Sequence, residues 1–387
     1  MSTLLVFAST LLVAVLVSNL AQRSVLSTAV LFLAVGFAVG GGALGLVSLR
    51  PHDELVGLLA ELALFSVLFT DGMRIGVRDL RSAWQLPGRA LLLGMPITFA
   101  LLALFAHLVA GLPWAESFLL AAVLSPTDPV LAAAIVGRGD VSPKLRHLLN
   151  VESGLNDGLA LPVVVVMLTV AEHGDLDVGA DLLRLILGVG LGVVVAWAAI
   201  QLERTRFFSA STAYEPLNAF AIGLLVLAIA ALTGVNEFLA AFAAGITIAS
   251  MSTAIREAFE RFGELVTELL KLGALMIFGI AVAPRLFIDL PASGWLFVVL
   301  ALIVARPLAI GIALLGSGLE RRERVVVAWF GPKGFASVVY GLLILQAGLP
   351  RGDDLFQIVA VVITVSIVAH SSTDVLVARW LRGATDE

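Results

Sequence analysis

Val151–Gly158 reads VESGLNDG, and the run that follows it, LALPVVVVMLTVA, carries no charge. A stretch this apolar has the length needed to cross a bilayer, about 20 residues. Glu152, Ser153, Asn156 and Asp157 are thereby placed inside a membrane span. Ionisable side chains are expensive in such a position and point to function by default. Just upstream, AVLSPTDPVLAAAIV at 122–136 interrupts a second apolar run with Pro126, Thr127, Asp128 and Pro129. These two stretches set the fold class: an all-α polytopic membrane protein whose helices surround a polar centre.

Composition agrees. The 387 residues are 60% hydrophobic and 14% charged, with mean hydropathy +1.04. Apolar stretches of bilayer-spanning length recur throughout, which excludes an ordinary soluble domain. There is no cysteine, so disulfides and thiolate metal sites are excluded. The net charge of −5 comes without a large basic patch, and no nucleic-acid partner is expected. The start, MSTLLVFAST, lacks a basic region and a cleavage site, and reads as a retained first span. A single membrane domain over 1–387 is expected, without a soluble regulatory domain and without a cofactor.

About thirteen spans can be placed, near 3–20, 27–49, 54–73, 88–111, 115–136, 145–171, 179–201, 214–233, 236–252, 263–284, 292–316, 325–347 and 353–378. They should be helical, because lipid offers no partner to backbone N–H and C=O groups. Alternate loops collect most of the basic residues: Arg23; Arg74, Arg78, Arg81 and Arg89; Arg138, Lys144 and Arg146; and so on to Arg379 and Arg382. The opposite loops hold Arg50, Arg285 and Arg351, with Arg184 at a boundary. The positive-inside rule then puts the N-terminus outside and the C-terminus in the cytoplasm. Span 5 is broken at SPTDP and span 12 at Gly331–Gly334, GPKG. Lying seven spans apart, the two breaks have opposite orientation. Two inverted six-helix repeats follow, at about 1–172 and 212–380, joined by a linker helix at about 178–203. Paired interrupted helices of this kind point to a transporter's midplane site.

Asp157 is the leading candidate to bind both ion and proton, and Ser153 shares its helix face. A carboxylate, the Ser153 and Thr127 hydroxyls and freed carbonyls suit a hard monovalent cation. A proton and a cation would compete for that site, which suffices to couple their movements; the bland alternative is a carboxylate locked in a structural pair. Glu152 either ligates the ion or pairs with Arg306, which lies in LIVARPLAIGI. Asn156 could fix the crossing or orient Asp157. Asp128 is expected to support the site electrostatically, capping the half-helix that follows, while Pro126 and Pro129 free carbonyls for a cation. Lys333 either balances the dipoles of its own break or snorkels to the interface. Asp71 either lines a cytoplasmic funnel or pairs with Arg74. Asn236 and Glu237 open span 9 as caps. GFAVGGGALG in span 2 reads as close helix packing or a dimer face. Glu61 and His370 lie in spans without an assigned role.

At these residues the chain resembles the monovalent cation/proton antiporter superfamily, in its sodium/proton exchanger branch. The matching stretches are SPTDPV at 125–130, ESGLNDG at 152–158, ARPLAI at 305–310 and FGPKG at 330–334, with weaker ones at 69–74 and 236–246. The resemblance implies a thirteen-span homodimer that works as an elevator, with two unwound helices crossing beside the ion site. It maps the family's Asn-Asp pair onto Asn156 and Asp157, with Asp157 the ion-binding aspartate and exchange usually electroneutral. Its arginine in the ARPL motif falls on Arg306. Two positions depart: Gly331-Pro332-Lys333-Gly334 stands where many exchangers have Gly-Leu-Arg-Gly, and Gly154 where Leu is common. A lysine keeps the charge but loses the guanidinium fork.

The expected function is exchange of Na⁺, or Li⁺, for H⁺ across a prokaryotic plasma membrane by a protein that is not an enzyme. The rivals are K⁺/H⁺ exchange, a passive cation channel and a non-transporting scaffold. A channel would need a continuous pore, and no carbonyl filter such as TVGYG is present.

Overall fold

The computed structural model describes residues 2–16, 28–41, 43–47, 49, 53–74, 86–128, 143–173, 178–205, 211, 214–282 and 285–382. Among these residues there is no β-strand. Apart from a single turn at Arg285–Ile288, the helices in order are α1 (Ser2–Leu16), α2 (Thr28–Val39), α3 (Glu54–Arg74), α4 (Pro87–Leu108), α5 (Trp114–Leu124), α6 (Pro143–His173) and α7 (Val178–Glu203). Then come α8 (Glu215–Thr233), α9 (Glu237–Met251), α10 (Thr253–Ala281), α11 (Ala292–Ala313), α12 (Arg321–Trp329), α13 (Phe335–Gln346) and α14 (Gly352–Arg382). Seven are long and apolar enough to cross a membrane alone, namely α3, α4, α6, α7, α8, α11 and α14. Each expected span falls on one of these helices, and span 12 is divided between α12 and α13. The second half of span 5, with Pro129, lies outside the described residues, as do Arg23, Arg50, Arg78, Arg81 and Arg138.

One boundary differs. Residues 253–262 were expected to form a loop, yet α10 begins at Thr253. Ser252 caps it by accepting from Ile255 N at 3.3 Å. The first half of α10 is amphipathic, burying Ile255 and Phe259 while Glu257 and Glu260 face outward. An average over such a segment falls below a membrane threshold although the helix is continuous. Asn236 does cap α9, accepting from Leu239 N at 2.8 Å.

Glycine sets the closest helix packing. A Cβ on Gly36 of α2 would strike the Met276 carbonyl of α10, and one on Gly279 the Leu33 carbonyl of α2. The glycines of span 2 therefore serve packing within the chain, at least at Gly36 and at Gly40, which abuts Ile280. Gly72 of α3 meets Phe242 O of α9 in the same manner, and Gly245 meets Phe69 O. Small residues permit such approach where lipid gives no hydrophobic drive for helix association.

Both α4 and α11 contain a π-helical stretch, at Ala90–Gly94 and Leu300–Ala305. Proline accounts for both. Pro96 and Pro307 follow closely, and each removes an amide donor and crowds a carbonyl in the preceding turn. A wider turn relieves the clash and re-aims nearby side chains. Arg306 emerges at the end of the second stretch.

Candidate functional site

Past α5, residues Ser125–Asp128 leave the helix, and Phe330–Gly334 separates α12 from α13. Proline supplies no amide and pushes its preceding residue out of the helical region, which accounts for a stop at Pro126 and Pro332. The two breaks touch. Asp128 N donates to Pro332 O at 3.0 Å. The Asp128 carboxylate accepts from Phe335 N at 3.2 Å, at the first turn of α13. The exposed N–H groups and positive dipole end of a half-helix suit a carboxylate. Glycine is needed at 334, because a Cβ there would strike Cβ of Asp128. The sequence reading gave Asp128 to the half-helix after Pro129, which lies outside the described residues. In the structure it caps the other broken helix.

Helix α6 brings the Asn-Asp pair to this crossing. Asn156 Nδ2 donates to Thr127 O and to Thr127 Oγ1, each at 2.8 Å. It therefore ties α6 to the first break. Its Oδ1 is buried and has no hydrogen-bond partner among the described residues. Asp157 is 6% exposed, and its carboxylate makes no hydrogen bond or ion pair with the described residues. Its backbone carbonyl accepts from Tyr340 Oη at 3.1 Å, which anchors α6 to α13. Ser153 lies on α6, but its side chain falls outside the described residues.

Glu152 takes the structural arrangement. Its Oε1 lies 2.9 Å from one terminal nitrogen of Arg306, and its Oε2 accepts from the other at 3.1 Å. Arg306 also donates to Phe330 O at 3.2 Å, at the C-terminal end of α12. With both oxygens engaged by a two-pronged partner, Glu152 has its charge balanced inside the protein. Lys333 does not snorkel: it is 1% exposed, and its Nζ has no hydrogen-bond partner among the described residues.

Asp71 pairs with Arg74 at 3.4 Å, and Arg74 reaches Glu264 of α10 at 2.9 Å. A buried row of hydroxyls runs beside it: Thr267 Oγ1 lies 2.7 Å from Ser66 Oγ and 2.9 Å from Thr70 Oγ1. Asp71, Asp128 and Asp157 share one electrostatic neighbourhood with Lys271 of α10. Lys271 Nζ sits 5.9 Å from the Phe335 ring centre. With Asp128, Glu268, Gly334 and Phe335 it lines a cavity of about 20 Å³, room for about one water molecule. The sequence reading assigned no role to Lys271, Glu268 or Tyr340. A signal was present for the first two, since Glu264, Thr267, Glu268 and Lys271 recur at the three-and-four spacing of one helix face.

Comparison with known proteins points the same way. The chain is 26% identical over 387 residues to the K(+)/H(+) antiporter NhaP of Alkalimonas amylolytica, covering 98% of this chain and 67% of that protein. It is 24% identical over 375 residues to the K(+)/H(+) antiporter NhaP2 of Shewanella baltica (strain OS223), covering 95% and 64%. The chain thus spans about two thirds of the length of these curated relatives. In fold it is similar to the sodium proton antiporter MjNhaP1 of Methanocaldococcus jannaschii at pH 8, with a TM-score of 0.76, 18% identity, and 99% and 97% of the two chains covered. The family profile described as sodium/hydrogen exchanger, transmembrane, matches residues 8–379. A profile match of that extent, over crossed broken helices with an Asn-Asp pair between them, places the chain in the sodium/hydrogen exchanger family of multi-pass cation/proton antiporters.

Proposed function

We propose that the protein exchanges Na⁺, or Li⁺, for H⁺ at Asp157, one cation for one proton. The observation that carries this is the Asp157 carboxylate, buried and unpartnered among the described residues while Glu152, Asp128 and Asp71 all have partners. An unpaired charge at such a depth is costly, so the carboxylate holds either a proton or a cation. The unpartnered Asn156 Oδ1, the Thr127 hydroxyl and Ser153 supply further oxygen for a hard cation. Glu152 and Arg306 hold the scaffold of the crossing, and Lys333 adds positive charge at the second break.

Movement is of the elevator type, in a homodimer, with the N-terminus outside and the C-terminus in the cytoplasm of a prokaryotic plasma membrane. Inverted repeats at about 1–172 and 212–380, joined by a linker at about 178–203, are supported by three features that recur seven spans apart. These are the breaks in spans 5 and 12, the proline-linked π stretches in α4 and α11, and the glycine contact of α2 with α10 mirrored by that of α9 with α3.

Potassium is the second reading, favoured by the K(+)/H(+) names of the two relatives. The test is exchange in proteoliposomes under an imposed pH gradient, read by a pH-sensitive dye, with Na⁺, Li⁺ and K⁺ added separately. Dye recovery with Na⁺ that Asp157→Asn abolishes supports the proposal. Recovery with K⁺ alone changes the ion and keeps the mechanism. Cation current without proton movement overturns it in favour of a channel.

A further inference from the structure

Both sides of the second break are tied to one imidazole. His370 lies on α14 and is 2% exposed. Its Nε2 is 3.1 Å from the carbonyl oxygen of Trp329, the last residue of α12. Its Nδ1 is 2.7 Å from Ser366 O and 3.2 Å from Ser366 Oγ. That same Oγ accepts from Lys333 N at 2.8 Å. The ring therefore holds Trp329 before the break directly, and Lys333 within the break through Ser366. The Trp329 indole reinforces the joint, donating from Nε1 to Thr373 Oγ1 of α14 at 3.1 Å.

Two ring nitrogens that each face a carbonyl oxygen form a donor–donor arrangement. An imidazolium satisfies both contacts, whereas a neutral ring has one N–H and one lone pair. For the neutral ring the structure offers an alternative: the Ser366 hydroxyl can donate to Nδ1 while Nε2–H keeps Trp329. Gain or loss of a proton therefore turns the Ser366 hydroxyl, the group that accepts the Lys333 amide. Imidazole is the side chain whose ordinary titration falls in the physiological range. Among the described residues, the charged groups facing His370 are Lys333 of the break and Arg306 of α11, the latter paired with Glu152 of α6. Burial, and after it their positive charge, works against a charged ring, while the carbonyls of Ser366 and Trp329 favour one.

We propose that His370 is a proton-operated positioning residue, whose protonation state sets the geometry of the Phe330–Gly334 break and with it the pH dependence of exchange. It binds neither cation nor transported proton, and the inference rests on the antiporter reading of Asp157. The test has two parts. In the first, the rings of the five histidines are followed by nitrogen NMR in the wild-type protein, with His370 assigned by difference from His370→Gln. A His370 signal that changes from one to two ring protons between about pH 8.5 and 5.5 supports the proposal, and a signal constant over that range overturns it. In the second, the pH profile of exchange is measured for wild type, His370→Gln and Ser366→Ala. Glutamine can donate to Trp329 O but does not titrate. A half-activation pH displaced by about half a unit or more in both variants supports the proposal, and profiles that superimpose on wild type overturn it. The NMR arm needs neither transport nor a stable variant beyond assignment, so a wild-type protein that exchanges no cation would sink the antiporter reading without deciding the His370 titration.

Discussion

Glu152→Gln separates the two roles that the sequence left open for that carboxylate. The Glu152 and Arg306 side chains are 5% and 7% exposed, and they meet through two contacts of 2.9 and 3.1 Å. The substitution leaves a guanidinium buried without its counter-charge, close to a second cation, Lys333. Removing one partner of a buried pair costs about 3–5 kcal/mol. That is a change of about two to three and a half orders of magnitude in the unfolding equilibrium. Arg306→Met should cost a similar amount, with about 1 kcal/mol more for the lost bond to Phe330 O. The double variant Glu152→Gln/Arg306→Met removes both charges together and leaves no buried charge without its partner, so it should cost less than the two single variants together. Unfolding of the purified protein in mixed micelles should show the two single-variant costs together exceeding the double-variant cost by at least about 3 kcal/mol. Additive single-variant costs would refute the structural pair. If Glu152→Gln unfolds at the wild-type denaturant concentration yet no longer transports, Glu152 ligates the ion and the reasoning fails.

Asp157→Asn should fold, since no partner among the described residues is lost, and should show no exchange with any cation; dye recovery at the wild-type rate would remove Asp157 from the mechanism. Gly334→Ala places a Cβ against Asp128 and should cost about 1–3 kcal/mol by overpacking while separating the crossing. Unchanged stability together with unchanged exchange would contradict the contact. Asn156→Ala removes both bonds to Thr127, costing about 1–3 kcal/mol if the Thr127 groups go unsatisfied, and should weaken apparent cation affinity; an unaltered KM for the cation would speak against it. With proton and cation sharing one site, as proposed, acidification should raise the apparent KM for the cation, approaching about tenfold per pH unit once the site is mostly protonated. A KM independent of pH, measured by initial rates at fixed gradient, would exclude competition at a single site.

The sequence carried the fold because membrane spans are written in composition. Apolar runs between charged loops located the spanning helices, and proline and glycine located the breaks at Pro126 and Gly331–Gly334. Glu152 and Arg306 could be matched because a lone arginine in a span needs a carboxylate. What remained hidden depended on long-range geometry. That Asp128 caps α13 requires knowing how the breaks cross. That Lys271 joins the field of Asp128 and Asp157 requires knowing which face of α10 turns inward. The two halves of the sequence show no residue-level likeness, yet Pro96 and Pro307 each follow a π stretch, in helices seven spans apart. A shared backbone device of this kind leaves one proline as its trace, too little to stand out in a chain with 14 of them.

On the proposed mechanism, the fixed charges of the crossing are balanced separately from the variable one. The N-terminal end of α13 is met by the Asp128 carboxylate. At the C-terminal end of α12, the carbonyls of Phe330 and Trp329 face Arg306 and His370. Arg306 is in turn neutralised by Glu152. Both ends at the second break thus have a protein partner, and neither partner is Asp157. If Asp157 instead supplied one of those caps, exchanging a proton for a cation would loosen the helix end it held, and the scaffold would unravel during each cycle. On the proposed mechanism the Asp157 carboxylate, unpartnered among the described residues, is the group free to change its load, and the paired ones keep the geometry in which both loads fit.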